Sequence, residues 1–365
     1  MPDKRRRGRR IGPLRIIFYV AGGILFVVAV AGLSAWYLWN HSSTLNPKTM
    51  FQPQQKVDFG MPTPSPSPVP EKRPDIPESY DLYEDGRYYR LRGDVVSVLF
   101  MGIDSRSNEA AKSNVAVGTN QADTILLGIF DTGSGEVRIL HIPRDTEADV
   151  RVLDIASQYV KTEKKHICLQ HAYGDGAALS CELTMDAASE LLFGIPINRY
   201  VSMGTNGVIS AVNAVGGVTL TMLDDFSYYS DAMGVGKTVK LNGKRALTYI
   251  QARSRRGLDG TDQSRMKRQI QFMKAFISTL KEGSRTNPAL VLSVYDAVKD
   301  YLQTNLSLEE LLFLANQGLS VELTDESILR LPGAVGAEEQ PLFHMDEDAA
   351  RALVLELFYE QILPG

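Results

Sequence analysis

The residues in this chain with the most chemistry to offer are arginines and aspartates gathered in a few short blocks. The block Asp262-Gln263-Ser264-Arg265-Met266-Lys267-Arg268-Gln269 opens an amphipathic run whose apolar positions are Met266, Ile270, Met273, Ile277 and Leu280. Helical spacings of three and four put Arg265, Arg268 and Gln269 on one face within its first two turns. Backbone N–H groups and the dipole at that end favour anions and disfavour cations by up to about 1 kcal/mol each. A phosphate or pyrophosphate would reverse the penalty, held by guanidinium forks. The bland alternative is surface arginines paired with acids such as Glu282. Arg253, Arg255 and Arg256 bring more positive charge just upstream, before the short loop at 257–261. Asp104 and Asp123 have the hard oxygens that Mg²⁺ uses, one or two carboxylates together with phosphate oxygens. Ordinary strand-end capping is their alternative. Carboxylates and arginines meeting at one sheet edge would make a Mg²⁺–pyrophosphate site.

The elements that must bring them together are legible as strands. Residues 94–103 form a near-continuous apolar, β-branched run ending at Asp104, and 124–131 and 136–142 are two further strands joined by a short hairpin loop at 132–135. If Asp131 opposes Glu136, the antiparallel register carries on to set Asp123 opposite Arg144, with facing Cα atoms roughly 5 Å apart. The first strand, running parallel to the third, then delivers Asp104 to the same edge. Helices are expected over 184–193, capped by Thr184 and ended by Gly194, from Asn242-Gly243 onward, from Asp262, and around 308–316 and 347–361. A helical turn, a Gly216-Gly217 turn and a strand share 209–222, and a further strand lies around 329–331. Interleaved strands and helices make an α/β fold, a three-layer α/β/α domain with a mixed central sheet.

Composition restricts the partners and the N-terminus indicates the compartment. The chain has 365 residues, 44% of them hydrophobic, with 2 cysteines, so disordered, collagen-like and disulfide-dense classes are excluded. Seven of the 39 Lys and Arg residues precede Ile16, accompanied by one acid, which leaves 32 basic against 42 acidic residues in the remainder. A body that acidic argues against nucleic acid as partner. Residues 16–39 carry no charge and are long enough to span the roughly 30 Å hydrocarbon core, so one transmembrane helix is expected. The basic tail at 1–15 places the N-terminus in the cytoplasm and the rest outside the cell membrane, with Trp36, Tyr37 and Trp39 in the outer aromatic belt. A cleaved signal peptide is the rival, opposed by the length of the apolar run and by bulky residues where a cleavage site would need small ones. Residues 40–80 hold alternating Pro and Ser/Thr and read as an extracytoplasmic spacer ahead of one domain at 81–365. Cys168 and Cys181 are permitted to form a disulfide there, the alternative being two buried thiols.

Other motifs fail. Gly236-Lys237-Thr238 imitates the end of a P-loop, but the upstream glycine would fall at Asp231 and the sequel reads as strand. His166 and His171 bracket Cys168 and are read as structural or surface histidines in a helix and loop context. What does match is a series of blocks, VLFMGIDSR, QADTILLGIFD, VRILHIPRDT, LNGKRALTYIQAR and TDQSRMKRQ, which in this order resembles the LytR-CpsA-Psr family of cell-wall glycopolymer ligases from about residue 90 to 280. The resemblance implies a membrane-anchored phosphotransferase that takes a polyprenyl-pyrophosphate-linked glycan, such as a teichoic acid or a capsular or secondary wall polysaccharide. It transfers the glycan phosphate to peptidoglycan and releases polyprenyl phosphate. By the same resemblance Asp104 and Asp123 are the Mg²⁺ carboxylates, either of them a candidate base. Arg144, Arg253, Arg265 and Gln269 grip the pyrophosphate and act in catalysis, supported by Arg268. Gln121 and Gln251 stand where the family usually has Arg. Two further readings stay open: a polyprenyl-pyrophosphate pyrophosphatase, which needs the same site with water as acceptor, and, motivated by Gln121 and Gln251, a non-catalytic scaffold for lipid-linked glycan.

Overall fold

The computed structural model describes residues 50–51, 80–104, 120–154, 156–252, 258, 262–287, 290–321, 323–337 and 341–362. The basic tail, the apolar run at 16–39, most of the 40–80 spacer, and Arg253, Arg255 and Arg256 lie outside the described residues. Among the described residues no helix is long and apolar enough to cross a membrane.

In chain order the strands are β1 (Leu82–Glu84), β2 (Arg87–Leu91), β3 (Val95–Ile103), β4 (Ala122–Asp131), β5 (Val137–Ile142), β6 (Glu147–Leu153), β7 (Tyr159–His166), β8 (Arg199–Gly204), β9 (Val218–Thr221), β10 (Thr238–Leu241), β11 (Leu302–Thr304), β12 (Ile328–Arg330), β13 (Gly333–Val335), β14 (Phe343–Met345) and β15 (Tyr359–Ile362). The helices are α1 (Leu169–Ala172), α2 (Ala178–Leu191), α3 (Thr205–Ala214), α4 (Gly243–Gln251), α5 (Asp262–Thr286), α6 (Leu290–Val298), α7 (Leu308–Ser320) and α8 (Glu347–Phe358).

The central sheet is mixed, in the order β11-β8-β3-β4-β5-β12. Strand β3 is antiparallel to β4 and parallel to β8, while β5 is antiparallel to β4 and parallel to β12. Its strands read as continuous apolar runs because both faces are covered. Val96, Val98 and Phe100 of β3 join a core with Phe272, Met273 and Phe276 of α5, whereas Leu99, Met101 and Ile103 join a second core with Ala187 and Ala188 of α2 and Val354 and Leu357 of α8. Each fully buried side chain of this size contributes about 1.5–3 kcal/mol of transfer free energy. Phe51, inside the stretch expected to be a detached spacer, is buried in the first core and lies beneath Arg199, 5.8 Å from its ring centre.

The register expected for the hairpin is the one observed, since Ile125 faces Ile142 and Leu126 faces His141. One irregularity matters: Gly102 pairs with Thr124 but Ile103 pairs with Ala122, so Asp123 is the extra residue of a β-bulge. Bulges next to functional sites re-aim a side chain. Helix α4 starts where Asn242 predicts, its side chain accepting from Arg245 N at 3.0 Å. Gly194 and Gly217 take positive φ, and a Cβ at Gly217 would lie 2.9 Å from the Leu241 carbonyl. Thr238 sits in a strand after Gly236 at φ +76°, so no P-loop forms.

Three local expectations are corrected, and the open question of the two cysteines is decided. Thr184 does not cap α2; the helix begins at Ala178, and Thr184 Oγ1 donates to Ser180 O at 2.8 Å within it. Cys168 and Cys181 are free and buried. His166 ends a strand, β7, which pairs with β6 in a hairpin. Residues 359–361 leave the expected last helix to pair with β2.

Candidate active site

The cleft opens at the edge where β3 ends, β4 begins and β5 and β12 finish, beside the first turns of α5. Its lining includes Asp123, Thr124, His141, Arg144, Asp145, Arg265, Gln269 and Arg330, around an empty volume of about 600 Å³ counting its open mouth.

Arg144 is the centre of the polar network. Its Nη1 is ion-paired with Asp123 Oδ1, its Nη2 donates to Gln121 Oε1 at 2.9 Å and its Nε donates to Asp145 Oδ1 at 3.0 Å. Three nitrogens thus go to three acceptors, a geometry open to a planar guanidinium and closed to an ammonium. Burial works against the charge, but Cys168, Asp123 and Asp145 around it hold the guanidinium more basic than usual. Burial would likewise raise Asp145, yet His166, whose Nδ1 lies 3.3 Å away, and Arg144 together hold its carboxyl below the usual range.

Helix α5 divides its polar residues between two directions. Arg265 and Gln269, one helical turn apart, are buried and line the cleft. Arg268, the most deeply buried of the three, turns towards α4: its Nε donates to Tyr249 O at 3.0 Å, Nη2 to Ala252 O, and Nη1 to Ser264 Oγ at 3.0 Å while pairing with Asp224. It ties two helices together and is not among the cleft residues, unlike the anion-supporting place expected for it. Arg253 lies outside the described residues. Asp104 is at the expected edge, its backbone N–H donating to Gln121 O at 3.3 Å, but it too is not among the cleft residues.

Among the described residues no three or more His, Cys, Asp or Glu side chains gather as a metal cage. The donor chemistry fits a cation shared with a substrate instead, because Asp104 and Asp123 bracket the β3–β4 edge with hard oxygens and Mg²⁺ commonly completes its shell with phosphate and water.

Three titratable cleft residues, Asp145, His141 and Arg330, lie outside the set expected from the sequence. Asp145 adjoins Arg144 and was visible as a neighbour. His141 is marked by strand alternation, since Val137 and Ile139 face the α5 core and 141 continues that face. Arg330 carries no local signal; it arrives because β12 inserts parallel to β5 with Arg330 in register with His141. Burial, then Arg330, then Arg265 depress the His141 imidazole to about 4, so it is neutral at pH 7.

The sequence model of the LytR_cpsA_psr family matches residues 74–356. A Bacillus subtilis protein named polyisoprenyl-teichoic acid–peptidoglycan teichoic acid transferase TagV is 28% identical over 246 residues, 64% of this chain and 57% of its own. The Enterococcus faecalis protein named as the corresponding transferase TagU is 29% identical over 216 residues, 59% of this chain and 63% of its own. The chain therefore spans about three fifths of the length of these curated relatives. The crystal structure of B. subtilis TagV superposes with a TM-score of 0.54 at 25% identity, over 72% of this chain and 96% of that one. With the block order, the mixed sheet and the family match in agreement, the chain belongs to the LytR_cpsA_psr family.

Proposed function

We propose that the chain is a membrane-anchored phosphotransferase that moves a glycopolymer, a teichoic acid or a capsular or secondary wall polysaccharide, from a polyprenyl-pyrophosphate carrier to peptidoglycan. The observation that carries this reading is the cleft itself: Arg144, Arg265 and Arg330 converge against Asp123 and Asp145 at the sheet edge. Phosphoryl transfer asks a protein chiefly for positioning and charge neutralisation, and oriented guanidiniums supply both. The names of the relatives support the substrate class.

Asp104 and Asp123 are the residues that would hold Mg²⁺ together with the pyrophosphate oxygens, and the ion would neutralise charge on the phosphates. Arg144, Arg265 and Gln269, with Arg253, would bind and orient the pyrophosphate. The uncharged run at 16–39 with its basic flank supports a single-pass anchor, N-terminus cytoplasmic and catalytic domain outside. A reporter fused ahead of residue 1 should then report from the cytoplasm and one fused after residue 365 from outside. The test of function uses the full chain with polyprenyl-pyrophosphate-linked glycan, peptidoglycan fragments and Mg²⁺, following polyprenyl phosphate release and the mass of joined product. A Mg²⁺-dependent joined product that disappears in Arg144→Ala is expected. Hydrolysis without joining would favour a pyrophosphatase, and tight binding without turnover a scaffold.

A further inference from the structure

We propose that His141 is the base of the transfer, taking the proton of the acceptor hydroxyl as that oxygen attacks the pyrophosphate. This deepens the ligase reading above and rests on it. In the step, the acceptor oxygen forms a bond to the glycan-bearing phosphorus and the bond from that phosphorus to the bridging oxygen breaks. The bridging oxygen leaves with its electron pair as polyprenyl phosphate, and the hydroxyl proton passes to an imidazole nitrogen, from which water later removes it.

Alternation along β5 puts Val137, Ile139 and His141 on the α5 face, the first two in the core and the imidazole at the open end, where it lines the cleft. Leu126 faces it across β4 and Arg330 neighbours it on β12, while Asp123 lies three residues further along β4. Buried histidines in folded proteins normally have partners, and His171 obeys, with Nδ1 2.8 Å from Asn120 O. His141 Nδ1 is buried with no hydrogen-bond partner among the described residues. An imidazole held there by structure alone would be expected to bond something.

Asp123 is ion-paired with Arg144, and Asp145 accepts from Arg144 and faces His166, the two together holding the Asp145 carboxyl below the usual range; both carboxylates are already engaged by these partners. The charged groups lining the cleft with His141 are Arg330 of β12, Arg265 of α5, Asp123 of β4, and Arg144 and Asp145 after β5. The two cations named as depressing its basicity, Arg330 and Arg265, are cleft residues that a bound pyrophosphate would neutralise. Substrate binding would then raise the basicity of His141 towards the working pH, where a general base is most effective. The base would be weak in the empty cleft and stronger once the anion is in place.

The experiment measures glycopolymer transfer by the full chain and by His141→Gln across pH 4 to 9. It is joined by NMR titration of the wild-type His141 ring with and without inorganic pyrophosphate and Mg²⁺. Removing a general base should lower kcat by about 10²–10³-fold with KM changed less than about threefold. The acidic limb of the wild-type kcat profile, which reports the substrate complex, should lie at higher pH than that of kcat/KM. Pyrophosphate should raise the ring pKa by at least about one unit. A His141→Gln enzyme with kcat within threefold of wild type, or a ring pKa that pyrophosphate leaves unchanged, overturns the base assignment and leaves the ligase reading standing. A wild-type chain that binds pyrophosphate and joins nothing overturns the ligase reading and the base with it.

Discussion

Replacing Arg144 by lysine separates charge from geometry at the centre of the cleft. The guanidinium makes three directed contacts, to Asp123, to Gln121 at 2.9 Å and to Asp145 at 3.0 Å. A lysine keeps the positive charge but has a single nitrogen, which cannot meet three acceptors that surround a planar fork. Two of the three hydrogen bonds should be lost. Bonds to charged groups contribute about 1.5–3 kcal/mol each, and water reaching the partly buried side chain, 14% exposed, reduces the combined loss to about 3 kcal/mol. If these contacts fix the cation against a transferring phosphoryl group, a similar amount is lost from the transition state, which is about 10²-fold in kcat/KM. Arg144→Ala should be worse in both respects, because it removes the guanidinium paired with the fully buried Asp123 carboxylate, at a cost of up to about 3–5 kcal/mol in stability. Kinetics of transfer and urea unfolding of the same preparations give the two readouts. An Arg144→Lys enzyme within threefold of wild type in kcat/KM would show that charge alone suffices and would refute the geometric argument.

Three further outcomes follow from buried groups elsewhere. Burial lowers His171 to about 4 in the folded chain against the usual 6.5, so between those values the unfolded state binds more protons and stability falls as the medium is acidified, by up to about 3 kcal/mol, with no further contribution above pH 6.5; thermal midpoints from pH 4 to 7 should show a shallower slope for His171→Gln, and an unchanged slope would count against the assignment. Burial pushes the Cys168 thiol up to about 12 and raises Cys181 as well, so neither should react with an aromatic disulfide reagent until the chain unfolds, and a native mass lower by two hydrogens would contradict the free-thiol structure. Arg199 and Glu310 form an ion pair in which both residues are buried, and Glu310 also closes the capping box of α7 with Ser307; Glu310→Ala should cost about 3–5 kcal/mol in urea unfolding, and a loss below about 1 kcal/mol would mean that water replaces the missing partner.

Much of this architecture was readable without coordinates, where one local rule decided the outcome. The hairpin between β4 and β5 has a short loop, so its register follows from counting, and the count sets Asp123 against Arg144. The Asn242 cap and the Gly194 stop are equally local. Failures cluster where distance along the chain is large or where local signals compete. Arg330 reaches the cleft through a parallel pairing between β12 and β5 that no short window contains. Arg268 shares its sequence spacing with Arg265 and Gln269, and only the position of α4 turns it towards the Tyr249 and Ala252 carbonyls. Thr184 looks like a cap, but its hydroxyl is satisfied inside the helix by Ser180 O, and the preceding turn extends α2 past it. The bulge at Asp123 also escaped, because it depends on how β4 meets β3 as well as β5.

The bulge gives meaning to Gln121, which stands where the family resemblance leads one to expect arginine. Asp123 is displaced from the regular ladder at the edge where Gln121 O accepts from the backbone N–H groups of both Asp104 and Asp123, at 3.3 and 3.1 Å. The Gln121 side chain accepts from Arg144 at 2.9 Å. A second guanidinium at this position would offer Arg144 no acceptor and would add a like charge beside it. With glutamine there, one cation is held by three acceptors, and Arg265 and Arg330 bring the rest of the positive charge from α5 and β12. Among the described residues the cleft then carries three guanidiniums against two carboxylates, a surplus that favours an anion even without the arginine at 121.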